Sequence, residues 1–323
     1  MKSNTMTRRR AIASMISIGA GAFAGSLVAP IAHSADSKGA SRNDAQMVAR
    51  IVFEPHIPTA LQRALNYAGD EGFVASMPQL LHARATAPYD NIIWNTWFTA
   101  NSEENVVTTP AGNHVIVAVH GGGILTKPER IEQSYHANLS RDNSEGVTGQ
   151  SAIKLSKQEA REILNGELPD GTEIPVYTFT DFKRGIADLP RRYAVTLDYN
   201  VARAATRGYE FFEVLMDEPN MIVRAGGVEQ LGAYLDKYRA RHRTEKMGNW
   251  HPYNRIDPNQ PQTRIPFLAG NKGGIGSNEE HDYGYDEEYG LGGDASMVGM
   301  ARYVAVAPRI VDSSLQYLDF DPD

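Results

Sequence analysis

The sequence predicts an α/β fold, shading into mixed α+β, with one central mixed sheet, helical cover and a long Gly/Pro-rich irregular segment. Three observations carry this expectation. Apolar residues recur at helical spacing in 58–68 and 231–240. Runs rich in β-branched residues, bounded by turn residues, stand at 113–119 and 193–197. Over 243–300 periodicity fades, while Pro252, Pro258, Pro261, Pro266 and ten glycines take over.

Taken in order, Met47, Val48, Ile51 and Val52 have helical spacing and stop before Pro55, which predicts an entry helix. A second helix is expected over Pro58–Ala68 with Gly69 at its end, and a third with Ser76 as cap and Met77, Leu80 and Leu81 inward. The period then changes. Residues 91–99, 105–109 and 113–119 read as strands, separated by turn-rich 100–104 and 110–112. Both faces of 115–119 are apolar, which marks a central strand. Thr126–Glu129 and Ser156–Glu159 have capping-box spacing, and each opens a helix; the second stops at Gly166. Strands follow at 174–178, 193–197, 209–215 and 221–224, with a short helix at 199–207 and a longer one carrying Leu231, Tyr234, Leu235 and Tyr238. A last strand is expected at 303–307, before an acidic tail. The organisation expected is residues 1–35 as an export signal and 36–323 as a single globular domain. Within it, 36–90 is a helical entry, 91–242 sheet and helices, 243–300 irregular, and 301–323 the final strand and tail.

Residues 1–35 are set apart by composition. Lys2, Arg8, Arg9 and Arg10 precede a weakly apolar stretch, 11–29, interrupted by Gly19, Gly21 and Gly25. Pro30 and the small residues Ala32, Ser34 and Ala35 follow. The segment Thr7-Arg8-Arg9-Arg10-Ala11-Ile12-Ala13 resembles a twin-arginine (Tat) signal, with Ala11 and Ala13 departing from the family's Phe and Lys. The resemblance implies the Tat export machinery as a partner, cleavage after Ser34 or Ala35, a periplasmic or secreted location and no stable membrane span after cleavage.

The formal net charge is −7, and the first 35 residues hold four basic residues and no acid, so the remainder is more acidic still. Such a chain repels nucleic acid and anionic lipid. Cysteine is absent, which excludes thiolate Fe–S clusters, c-type haem, thiol nucleophiles and Cys-ligated zinc.

The densest chemical motif is the strand 115–119 followed by His120-Gly121-Gly122-Gly123. It resembles the oxyanion-hole segment of lipases and esterases with the α/β-hydrolase fold. That family also needs a serine elbow, then an acid, then a histidine. No serine lies between Ser156 and Ser277, Ser151 lacks the final elbow glycine, and Ser296 follows the last histidine, His281. Asp198, between a strand and a helix, reads as an N-cap because Thr196 and Asn200 stand where an elbow wants small residues. The remaining use of the motif is an anion cradle: Gly121, Gly122, Gly123 and Thr126 would bind a small anionic or polar ligand, with His120 as a proton donor or catalytic group. The plain alternative is a tight turn with a capped histidine.

Glu279, Glu280, Asp282, Asp286, Glu287 and Glu288 crowd around His281. His281, Asp282, Asp286 and Glu287 form a candidate divalent-metal set; the other reading is a solvated acidic face pairing with the basic 237–246 stretch. Trp250-His251-Pro252-Tyr253 would either stack on a planar ligand or pin the irregular segment to the body. Two functions follow as expectations. One is an exported, soluble protein that binds a small molecule at the glycine turn. The alternative is a non-serine enzyme using His and carboxylates, with a divalent metal as cofactor.

Overall fold

The computed structural model describes residues 46–139, 146, 152–270, 274–277 and 301–309. It is a mixed α/β structure with three sheets rather than one. The chain begins with β1 (Gln46–Glu54), α1 (Ile57–Ala68), β2 (Phe73–Val74) and α2 (Met77–Thr86). A 3-10 turn (Ile92–Trp94) leads to β3 (Phe98–Thr99), β4 (Ser102–Thr108) and β5 (His114–His120). A second 3-10 turn (Ile124–Thr126) precedes α3 (Pro128–Leu139), β6 (Ile153–Lys154) and α4 (Lys157–Asn165). Next come β7 (Val176–Thr178), α5 (Phe179–Lys183), β8 (Tyr193–Asp198) and α6 (Tyr199–Ala204). The chain continues with β9 (Gly208–Phe211), α7 (Phe212–Leu215), α8 (Pro219–Ala225) and α9 (Val228–His242). It ends with β10 (Lys246–Trp250), β11 (Gln262–Arg264), β12 (Pro266–Leu268), β13 (Ile275–Ser277) and β14 (Ala301–Arg309).

The largest sheet has the order β6-β11-β4-β5-β8-β7 and is mixed, since β7 runs parallel to β8 while the other pairs are antiparallel. As expected, β5 is central: Val115, Val117 and Val119 enter one apolar cluster, and Ile116 and Ala118 another. A five-stranded sheet, β3-β12-β13-β10-β9, and a three-stranded sheet, β1-β14-β2, complete the body. No helix among the described residues is long and apolar enough to cross a membrane.

Local chemistry explains most helices. Ser76 and Gln79 form a capping box ahead of α2, and Ser156 and Glu159 another ahead of α4, which Gly166 ends in the left-handed region at φ 77°. Asp198 caps α6 by accepting from the N–H groups of Asn200 and Val201.

Besides the number of sheets, several expectations are corrected. Of residues 91–99 only Phe98–Thr99 are a strand, since Ile92–Trp94 form a 3-10 turn capped by Asn91, and β4 starts within the stretch expected to turn. Residues 47–52 form a strand, not a helix, because every residue of β1 pairs with β14 from Gln46↔Arg309 to Glu54↔Ala301; long-range pairing overrides local spacing. Residues 221–224 lie in the helix α8, which starts with Pro219 in its first turn and ends at Gly226. Residues 212–215 are also helical. The segment 243–300 is not irregular throughout, since β10 to β13 lie in it. Their Gly/Pro content hid strands of only three to five residues.

Candidate functional site

The glycine turn already has an anion, and it belongs to the protein. Glu103, on β4, sends its carboxylate under the turn, where Oε2 accepts from the N–H of Leu125 at 2.9 Å and the N–H of Ile124 also bonds to it. Asn105 Nδ2 donates to its Oε1 at 3.1 Å. A Cβ on Gly123 would lie 2.1 Å from this carboxylate carbon, and Gly123 has φ 122°, so only glycine fits there. Burial pushes Glu103 up to about 7, against the opposing N–H and Asn105 bonds. Gly121 N–H donates to Asn101 O at 2.9 Å, and Thr126 Oγ1 donates to Gly123 O at 2.6 Å. The turn therefore forms, but Gly121 and Thr126 spend their donors on backbone carbonyls, and the Glu103 carboxylate takes the N–H groups of Ile124 and Leu125 and the space beneath Gly123.

His120 is corrected too. It is 2 % exposed. Its Nε2 faces Val223 O at 3.1 Å, and a carbonyl only accepts, so Nε2 carries the proton. Its Nδ1 then accepts from Ser102 Oγ at 2.9 Å, while that oxygen accepts from Met77 N. Burial pushes His120 down to about 4, so the ring is neutral. This Ser–His pair escaped sequence reasoning because Ser102 precedes the histidine and sits in a stretch that reads as a turn. The pair is sealed inside the protein, away from any substrate that stays in solvent.

Behind the turn lies a second buried polar group. Arg224 Nε and Nη2 donate to the two oxygens of Glu104 at 2.6 and 3.0 Å, a bidentate pair. Arg224 Nη1 also donates to Asn249 Oδ1 and Trp250 O, each at 3.1 Å. The Tyr253 hydroxyl donates to Glu104. His251 stacks on Tyr253 and donates Nε2–H to Ala205 O at 3.1 Å. Residues 251 and 253 thus pin their segment to the body. The His120 turn is linked to residues 243–300 through α8: Val223 holds His120, and the next residue holds Asn249 and Trp250. What the link lacks is a solvent-facing His120.

Trp250 has a different role from its neighbours. In the antiparallel β9–β10 pair, Lys246 stands opposite Phe211 and Gly248 opposite Tyr209. Alternation puts Lys246, Gly248 and Trp250 on one face with Tyr209 and Phe211, while Asn249 and Met247 turn inward, both fully buried. On the outer face the Lys246 ammonium sits 4.1 Å from the Phe211 ring centre, and the Arg207 guanidinium 5.7 Å from Trp250. Tyr209 meets Trp250 edge-on at 6.0 Å. Phe211 is 48 % exposed. Two cations and three aromatic rings thus share one face, on which Phe211 and Lys246 are exposed while Trp250, 7 % exposed, is buried beneath the Arg207 guanidinium. In an acidic protein this face is suited to anionic or polar planar groups.

His281, Asp282, Asp286 and Glu287 lie outside the described residues. Among the described residues no group of three or more His, Asp and Glu is arranged to hold a metal. No family model and no curated protein matches the chain in sequence. A solved structure described in the words "Accommodation of massive sequence variation in Nanoarchaeota by the C-type lectin fold" is similar, at 23% identity and a TM-score of 0.56. The likeness covers 80% of this chain and 97% of that one. It shows the fold alone: this chain has a C-type-lectin-like fold.

Proposed function

We propose that the chain is a Tat-exported, soluble binding protein that takes a small anionic or polar ligand on the outer face of the β9–β10 ribbon, without chemistry. The observation that carries this reading is the register that aligns Arg207, Tyr209, Phe211, Lys246 and Trp250 on one face. Glu103, Glu104 and His120 bond instead to one another's neighbours and to backbone, which disfavours the alternative of a His-and-carboxylate enzyme.

The test is quenching of tryptophan fluorescence by sugar acids, dicarboxylates and organic phosphates. A saturable signal is expected, and the Arg207→Ala/Lys246→Ala double variant should lose it while Arg203→Ala keeps it. Binding untouched by the double variant, or no binding by any of the three classes, refutes the reading. The export half is tested separately: Arg8→Lys/Arg9→Lys should leave the protein in the cytoplasm, and normal export of that variant overturns it.

A further inference from the structure

A second buried arginine has a shell that the protein does not complete. Arg84, on α2, is 0 % exposed. Its Nε donates to Ile93 O at 2.9 Å and its Nη2 to Thr96 O at 2.7 Å, tying α2 to the first 3-10 turn. Its Nη1 has no hydrogen-bond partner, and among the described residues no carboxylate pairs with it. Burial holds the guanidinium below the usual arginine range, against the opposing influence of the Tyr234 and Tyr238 hydroxyls, while Arg241 adds a smaller lowering push.

The neighbours are donors as well. The Arg84 guanidinium lies 5.9 Å from the Trp94 ring centre and that of Arg241 5.4 Å from the same ring. Tyr234 stacks on Trp94 at 6.1 Å with planes 6° apart, and its hydroxyl stands beside Arg84. The Tyr234 hydroxyl oxygen is engaged by the Arg84 guanidinium, which can only donate, so its own O–H finds no acceptor; the Trp94 indole N–H finds none either, and both groups are fully buried. Two positive charges and three incomplete polar groups therefore share one layer between α2, the 3-10 turn and α9. An unpaired buried charge is strongly unfavourable, and each buried donor without an acceptor adds to it. One small acceptor of negative charge relieves all of them together.

We propose that this layer is an anion site, in which a small monovalent anion is held by Arg84 Nη1, the Tyr234 hydroxyl and the Trp94 indole N–H, with Arg241 adding charge. A halide such as chloride suits it better than a carboxylate. The fork that would grip a carboxylate bidentately is already engaged at Nε and Nη2 by two carbonyls, which leaves point donors. The site is independent of the β9–β10 face and would serve to lock α2 against α9.

Bromide is the probe, since it replaces chloride and is located by its anomalous scattering. Crystals of the wild-type protein soaked in bromide should show an anomalous peak in contact with Arg84 Nη1. In thermal unfolding at constant ionic strength, replacing sodium gluconate by chloride or bromide should raise Tm saturably. Sodium formate, run beside them, reports a carboxylate source: a rise with formate and none with halide sinks the halide assignment. Tyr234→Phe keeps the ring and its stacking and should raise the half-saturating bromide concentration about tenfold, as expected for loss of one hydrogen bond to an ion. Absence of a bromide peak at Arg84 overturns the proposal, as does a Tm that does not saturate or a Tyr234→Phe variant with unchanged half-saturation.

Discussion

Arg224 and Arg84 are the same residue at the same depth in opposite situations. Arg224 meets a carboxylate with two bonds, an amide and a carbonyl, and is held above the ordinary arginine range by Glu104 despite its burial. Arg84 meets two carbonyls, the Tyr234 hydroxyl and a second cation but no carboxylate, and burial pushes it down. Depth is shared, so partners decide. The β4–α8–β10 region is closed chemistry, each charge answered from within the chain, whereas the α2–α9 region keeps a surplus of positive charge.

The comparison breaks first at the ion pair. Arg224→Met strands the Glu104 carboxylate in the interior and should cost about 3–5 kcal/mol in urea unfolding. Adding Glu104→Gln should restore part of it. Arg84→Met strands only two carbonyls and removes a surplus charge, so its cost should be smaller, about 1–3 kcal/mol. Equal losses for the two variants defeat the distinction.

Glu103 is a third buried charge, answered by backbone rather than by arginine. Gly123→Ala drives a methyl into its carboxylate at a left-handed φ of 122°. A loss of about 3 kcal/mol is expected from strain and overpacking together. A near-neutral Gly123→Ala result means that the turn holds Glu103 less closely than described.

Acid sharpens the comparison further. Burial holds His120 and His251 down near 4, from 6.5 in the open chain, so the unfolded state takes up these protons first and stability falls as pH drops from about 6.5 to 4. Glu103, pushed up from 4.5 to about 7, has the opposite sign: its folded form takes the proton first, and stability falls as pH rises through that window. Two histidines outweigh one carboxylate, so net destabilisation is expected below pH 6.5. Glu103→Gln should steepen it, and should stabilise the protein more at pH 8 than at pH 5. A flatter acid limb in the variant contradicts the assignment. The smallest expected signal is none: a fluorophosphonate should leave Ser102 unlabelled, because its hydroxyl is sealed against His120. Stoichiometric labelling there reopens the question of chemistry.

Much of this was legible in residues that act locally. Ser76, Ser156, Asp198, Gly69 and Gly166 delimit helices by capping chemistry, which is encoded within four residues. The strand ending at His120 and its glycine turn were legible as well. What fills the turn was not, because Glu103 reaches it from a neighbouring strand and reads in sequence as part of a polar loop. Arg224 and Glu104 lie 120 residues apart, and nothing local announces their pairing. The β9–β10 face needed the register as well as the alternation at 207, 209 and 211. Residues 221–224 were misread although Pro219 and Gly226 carried the correct signal.

The pairing of β1 with β14 also sets an order of events. The first described strand waits for the last, so the three-stranded sheet closes only after the intervening chain has been made. Contacts this distant in sequence form slowly and late. A nascent or truncated chain lacking 301–309 leaves β1 without its partner and Val52 without Tyr303 opposite it. Closure of that sheet is therefore a topological checkpoint, passed only once residues 301–309 are in place beside β1.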